Sequence, residues 1–180
     1  MLAVAALSVA LVGLAPVNAT AGTETVPIKQ WAKSTCKALA GYQLALSGAR
    51  PAVGPTVDPA AAKELVVDYL DDAVKGTGRL VRALEAAGAP DVRRGAAVAA
   101  TFVEAFQKMR TALVRSRSAA RDLDTEPTAF LADLTAIEAR IQKSMTTLVT
   151  TFQRAADRYD LPQLDSALRF DTRCQDAGLT

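Results

Sequence analysis

Residues 92–123 read VRRGAAVAATFVEAFQKMRTALVRSRSAARDL. Within them Val92, Gly95, Ala99, Phe102, Phe106, Met109, Leu113, Ser116, Ala120 and Leu123 recur at alternating steps of three and four, so one apolar or small-residue stripe runs along a whole helix. A long helix with a single seam must bury that seam against other helices, which makes the chain all-α. The phenylalanines and the methionine stand at core spacing and read as packing residues rather than cofactor contacts. Toward Ser116 and Ala120 the stripe becomes small and polar, the mark of a close helix approach or of a small opening.

The segments on either side follow the same rule. Upstream, Val66, Leu70, Val74, Thr77, Val81 and Leu84 predict a second helix from Pro59 to about Ala87, capped by Asp58 with proline at its first position. Gly76 and Gly78 interrupt it at about 1 kcal/mol each relative to alanine, so that segment marks a bend or a close crossing. A ligand notch built from Gly76, Gly78, Ser116 and Ala120 is the functional reading of the same residues; small residues at helix crossings are the commoner explanation. The first helix runs from Ile28 through Ala32, Thr35, Leu39, Tyr42 and Leu46 until Gly48 and Pro51 stop it, and Ser47 to Asp58 is a Pro/Gly connector.

Gly88-Ala89-Pro90 makes a turn, and the third helix is expected from about Asp91. Downstream, Thr125 or Glu126 caps a fourth helix with Pro127 in its first turn, carrying Phe130, Leu134, Ile137, Ile141, Met145, Leu148, Phe152, Ala155 and Tyr159. One extra residue between Ile141 and Met145 predicts a stutter. A short last helix runs from Pro162 to about Cys174. Short turns make neighbouring helices antiparallel, so the expected architecture is an elongated up-down-up-down four-helix bundle with the short C-terminal helix tied back by a disulfide.

The tie comes from the only two cysteines, Cys36 and Cys174. In that topology the tail returns along the first helix and the two meet, closing a loop worth roughly 4 to 5 kcal/mol in the chain-entropy model. Met1 to Val17 is uncharged and rich in Ala, Leu and Val, and small residues follow it, which reads as a secretory signal peptide. Cleavage before Gly22 is preferred to cleavage before Thr20. Residues 1–21 are then a cleaved signal, 22–27 a flexible mature N-terminus and 28–176 one bundle domain. A retained membrane anchor is the competing reading, but the run is shorter than the roughly 20 apolar residues a span requires.

The sequence contains no histidine, which removes the usual general base and the usual zinc ligand. A bond between the two cysteines would remove thiolate chemistry as well. No phosphate loop, dinucleotide fingerprint, metal signature or nucleophile elbow is present, so no catalytic, cofactor or metal residue is assigned. A net charge of +2 and 5% aromatic residues speak against a dedicated nucleic-acid binder.

Glu64, Asp68, Asp71 and Asp72 form an acidic stretch that could serve a divalent cation. Pairing across helices with Lys108, Arg110 and Arg115 explains both charge groups at once and is preferred. Arg115, Arg117 and Arg121 are the candidate contact for an anionic surface. Lys29, Lys33 and Lys37 flank Trp31, read here as an amphipathic residue at the bundle edge.

The order Trp31-x4-Cys36, then Tyr69-Leu70-Asp71-Asp72-Ala73, then Ala86-Ala87-Gly88-Ala89-Pro90-Asp91-Val92 with Gly95, and finally Cys174-Gln175 resembles uncharacterised exported helical proteins of high-GC Gram-positive bacteria. The resemblance covers nearly the whole mature chain and implies fold rather than chemistry. Members often look like lipoproteins or are more acidic; this chain has no cysteine at its cleavage zone and is slightly basic. The expected role is a secreted, non-enzymatic binding or interaction protein of the cell envelope, its partner an envelope protein or an anionic envelope polymer. Membrane contact is peripheral at most, and the oligomeric state is left open. The alternative is a carrier whose bundle opens around a lipid or other apolar small molecule.

Overall fold

A computed structural model describes residues 24–47, 58–159 and 161–176. The expected signal segment 1–21 and connector residues 48–57 lie outside the described residues. The elements, in chain order, are β1 (Thr25–Val26), α1 (Ile28–Ser47), α2 (Pro59–Ala86), β2 (Ala89–Pro90), α3 (Gly95–Arg121), α4 (Pro127–Tyr159), α5 (Pro162–Arg169) and α6 (Thr172–Asp176).

Local chemistry sets the helix ends. The Asp58 carboxylate accepts from the Ala61 amide at 3.1 Å and Pro59 opens α2, which satisfies an amide that the helix itself leaves free. Glu126 does the same for α4, its carboxylate accepting from the amides of Thr128 and Ala129 at 3.0 Å. Past the end of α2, Gly88 has φ 70, the left-handed conformation a glycine adopts after a helix C-cap. Lys63 reaches over from α2 to donate to the Leu123 carbonyl at 2.8 Å, just beyond the end of α3, where a cation complements the helix dipole.

Contacts between helices fix their directions. Trp31 meets Gly88 and Tyr42 meets Thr77, so α1 and α2 are antiparallel. Lys63 meets Leu123 and Asp71 meets Arg117, so α2 and α3 are antiparallel too. Phe152 of α4 stacks on Phe102 of α3 at 4.7 Å between ring centroids. The most extensive packing is between α2 and α3, while α5 and α6 return to lie on α1. Among the described residues α4 lies mainly along α3.

Cys36 and Cys174 are bonded, with Cα atoms 4.8 Å apart across 138 residues of chain. That joins the last short helix to α1, as the topology predicts. All six expected seam positions of α2, Val66, Leu70, Val74, Thr77, Val81 and Leu84, are buried.

Five expectations are corrected. First, α3 begins at Gly95 rather than at Asp91. Ala89 and Asp91 donate backbone hydrogen bonds to Glu24 and Val26, and Arg94 takes φ 65, so the chain cannot turn helical before Gly95. A Cβ at Gly95 would overlap the Pro90 carbonyl oxygen, so only glycine fits there. Second, the same bonds hold residues 25–26 as a parallel strand beside 89–90, in place of a flexible N-terminus. Third, the tail is two helices: Asp171 caps a new one, its carboxylate accepting from the Arg173 amide at 3.0 Å, and this turn brings Cys174 to α1.

Fourth, Trp31 is 1% exposed and donates through Nε1 to the Gly88 carbonyl at 3.0 Å. It belongs to the core beside Val98 and Leu164, not to the bundle edge. Fifth, the extra residue in the α4 seam enters later than expected, between Leu148 and Phe152, both of which pack against the core around Phe106. Half-buried Ser144 takes the seam position between Ile141 and Leu148, its hydroxyl satisfied by the Arg140 carbonyl at 3.0 Å, while Met145 is 43% exposed.

Candidate functional site: an apolar cavity and two arginine groups

Phe102 of α3 is the centre of an aromatic cluster. It meets Trp31 edge-on at 5.6 Å and stacks on Phe152, which in turn approaches Phe106 at 5.8 Å. These rings join the start of α1 and the first third of α3 to the last turns of α4, in geometries that favour aromatic pairs. Beyond the rings, toward the C-terminal end of α4, the side chains shrink to Ala155 and Ala156 before Tyr159. Leu164 and Leu168 of α5 line the space beside them.

The result is a cavity of about 790 Å³, walled by Val98, Phe102, Phe152 and Leu164, with Cys174 of the disulfide also on its wall. Its charged wall residues are Asp157 and Asp165. Asp165 is engaged by Arg169 at 2.8 Å. A space of this size, mostly apolar with few polar groups, has the dimensions and chemistry of a small-molecule pocket.

The four residues expected to make one notch do not share a cavity. Gly76 lies against the ring of Tyr42 and lines a second cavity of about 530 Å³ between α1 and α2, whose wall holds none of the other three. Gly78 faces α3, where Arg110 lies across it. Ser116 and Ala120 are fully buried, and Ala120 packs with Ala62 and Phe130 at the other end of α2. The glycines therefore mark the place where α2 is crossed by α1 on one side and α3 on the other. Between them the Thr77 oxygen lies 2.8 Å from the Ala73 carbonyl and 3.0 Å from the Tyr42 hydroxyl. The carbonyl can only accept, so Thr77 gives it its proton and receives that of the phenol. Burial pushes the Tyr42 phenol above 10.0.

The expected arginine group is also divided. Arg117 donates to Asp71 Oδ1 at 2.9 Å and Arg121 to Asp71 Oδ2 at 3.3 Å. The Arg117 hydrogen bond, with the fields of Arg121 and Arg117, holds the Asp71 carboxyl below its usual 3.8. Arg115 lies two residues from Arg117, some 200° around the helix, and makes no ion pair among the described residues. The cross-helix pairing expected with Lys108, Arg110 and Arg115 is thus made by Arg117 and Arg121 instead. Lys108 pairs within its own helix, with Glu104 at 2.7 Å. Among the described residues no group of three His, Cys, Asp or Glu side chains could hold a metal ion.

Sequence reasoning missed the cavity residues Phe102, Phe152 and Leu164 as a group. The signal available was the change from Phe152 to Ala155-Ala156 on one face of α4, with Leu164 and Leu168 one turn apart on the last segment. No family model, curated protein or solved structure matches the chain. No described helix is long and apolar enough to cross a membrane. The disulfide is compatible with an extracytoplasmic location.

Proposed function

We propose that the protein is a non-enzymatic, exported binding protein of the cell envelope, whose long helices act as an up-down-up-down bundle and whose cavity carries an apolar small molecule. The observation that carries this reading is the space of about 790 Å³ between α3, α4 and α5, with aromatic and aliphatic walls. The histidine-free sequence and the bonded cysteines support a role without nucleophilic or acid–base chemistry. The apolar N-terminal segment and the resemblance to exported helical proteins support export.

A protein partner is supported less by the surface. Leu131, Met145 and Val149 are exposed on α4, but Glu138 and Gln142 stand between them, so they do not join into one apolar patch. A soluble phosphate-rich polymer or an envelope protein remains the interaction counterpart of the carrier role.

Titration with an uncharged fluorescent probe such as N-phenyl-1-naphthylamine tests the carrier role. Saturable binding to the wild type, lost in Ala155→Trp because the indole fills the cavity, is the expected result. Binding that Ala155→Trp leaves unchanged, or no binding by the wild type, would overturn it.

A further inference from the structure

The second half of α2 carries Lys75, Arg79 and Arg82, and the α2–α3 register decides what these face. Because Asp71 is opposite Arg117, the part of α3 opposite Gly78 is Arg110, a cation rather than an acid. The position a Cβ would occupy on Gly78 lies 3.3 Å from Arg110 Nε and 3.8 Å from a terminal nitrogen of Arg82. The two guanidinium nitrogens, from different helices, are thus within about 7 Å of each other, where like charges repel.

Each nearby carboxylate has another partner. Asp71 holds Arg117 and Arg121, Asp72 holds Lys75, and Glu104 holds Lys108. Glu85, one turn beyond Arg82, accepts from Gln107 at 3.4 Å. Neither Arg82 nor Arg110 makes an ion pair among the described residues, and both are exposed. Gly78 itself is buried, so the floor beneath the two side chains is backbone, and the most extensively packed helix pair of the molecule sets the spacing of their stems.

We propose that Arg82 and Arg110 are the two arms of a binding site for a phosphoryl group. A phosphate monoester carries close to two negative charges and three accepting oxygens, which matches two guanidinium forks better than a single carboxylate does. This site is separate from the apolar cavity and stands whether or not the cavity carries a ligand.

The test is titration with inorganic phosphate, followed by phosphorus NMR at low ionic strength, on wild type, Arg82→Ala, Arg110→Ala and Arg115→Ala. Circular dichroism confirms that each variant is folded. Arg82→Ala and Arg110→Ala should each weaken binding by roughly tenfold, the loss of one charge-assisted contact, while Arg115→Ala, with the same change of net charge, shifts it less than about twofold. Gly78→Ala keeps every charge and places a methyl against Arg110, so it should also weaken binding. Equal effects of all three arginine variants, or none, would overturn the site, because the phosphate would then be responding to net charge alone. A second arm uses vesicles containing phosphatidic acid, whose headgroup is a phosphate monoester. Vesicle binding lost with Arg82 or Arg110 assigns a lipid headgroup as the source of the phosphoryl group, and phosphate binding without vesicle binding assigns a soluble ester.

Discussion

Helices α2 and α4 carry stripes of similar quality in the sequence, yet α2 buries eleven residues and the 33-residue α4 only two, Phe130 and Ile137. Helix α2 lies between α1 and α3 and offers each a face: Tyr42 covers Gly76 on one side and Arg110 covers Gly78 on the other. Helix α4 has one principal neighbour, α3, so the rest of its seam stays half-buried. A stripe reports that a helix has a preferred face. The number of neighbours decides how much of it leaves water, and hence how much each side chain stabilises. The partly covered helix is also the one beside the cavity: space for a ligand arises where packing is one-sided.

The largest expected effect breaks the tie that holds α5 and α6 on α1. Replacing Cys36 and Cys174 together by alanine should cost about 4 kcal/mol in denaturant unfolding, and uncharged-probe binding should fall with it as α5 loses its anchor. A smaller loss, with binding retained, would mean that the apolar contacts of Leu164 are enough to seat α5.

Next in size is a direct contrast of the two helices. Leu70→Ala, at a position 1% exposed at the centre of α2, should cost about 3 kcal/mol. Met145→Ala on α4 should change stability by less than about 0.5 kcal/mol. Similar losses from both would show that the outer face of α4 is covered in solution, by a second copy of the chain or by another molecule.

The smallest expected effect concerns Asp71, the carboxylate that ion-pairs across α2 and α3. Asp71 has a folded-state value depressed below 3.8, first by the Arg117 hydrogen bond, so its contribution is present above the ordinary carboxylate range and lost as pH falls through the depressed value. Melting temperatures of wild type and Asp71→Asn should therefore differ by a constant amount at neutral pH and converge as acid titrates the carboxylate. A difference that persists in strong acid would assign the effect of the substitution to packing.

The helices were legible because their signals are local. Asp58-Pro59, Glu126-Pro127 and Gly88 act on amides and carbonyls within a few residues, and the stripe of α2 names its own buried face. Signals that depend on a second segment were not legible. Trp31, flanked by lysines, resembles a boundary residue until Gly88 supplies an acceptor for its indole. Two-residue strands have no periodicity to read, so the pairing of Thr25–Val26 with Ala89–Pro90, and the late start of α3 that follows from it, went unseen. In α4 the polarity of Ser144 pointed the seam toward Met145, although a step of three from Ile141 lands on the half-buried serine.

The candidate sites divide in the same way. The arginines of α3 stand out in the sequence as charge, but only the register pairs Arg117 and Arg121 with Asp71 and leaves Arg110 facing Arg82. The four small residues are visible as a composition, whereas their separation onto different interfaces depends on the rotation of α2 between its neighbours.

By itself, the sequence determined the all-α class, the order of the long helices, the capped starts of α2 and α4 and the cysteine pairing that the short connections permit, because caps, turns and periodicity act over a few residues. Tertiary structure alone decided the rotation of α2, the α2–α3 register, the one-sided packing of α4 and the cavity beside it. Each of these depends on which side chains from distant segments fit together, and a stripe that names its face does not name the partner that covers it.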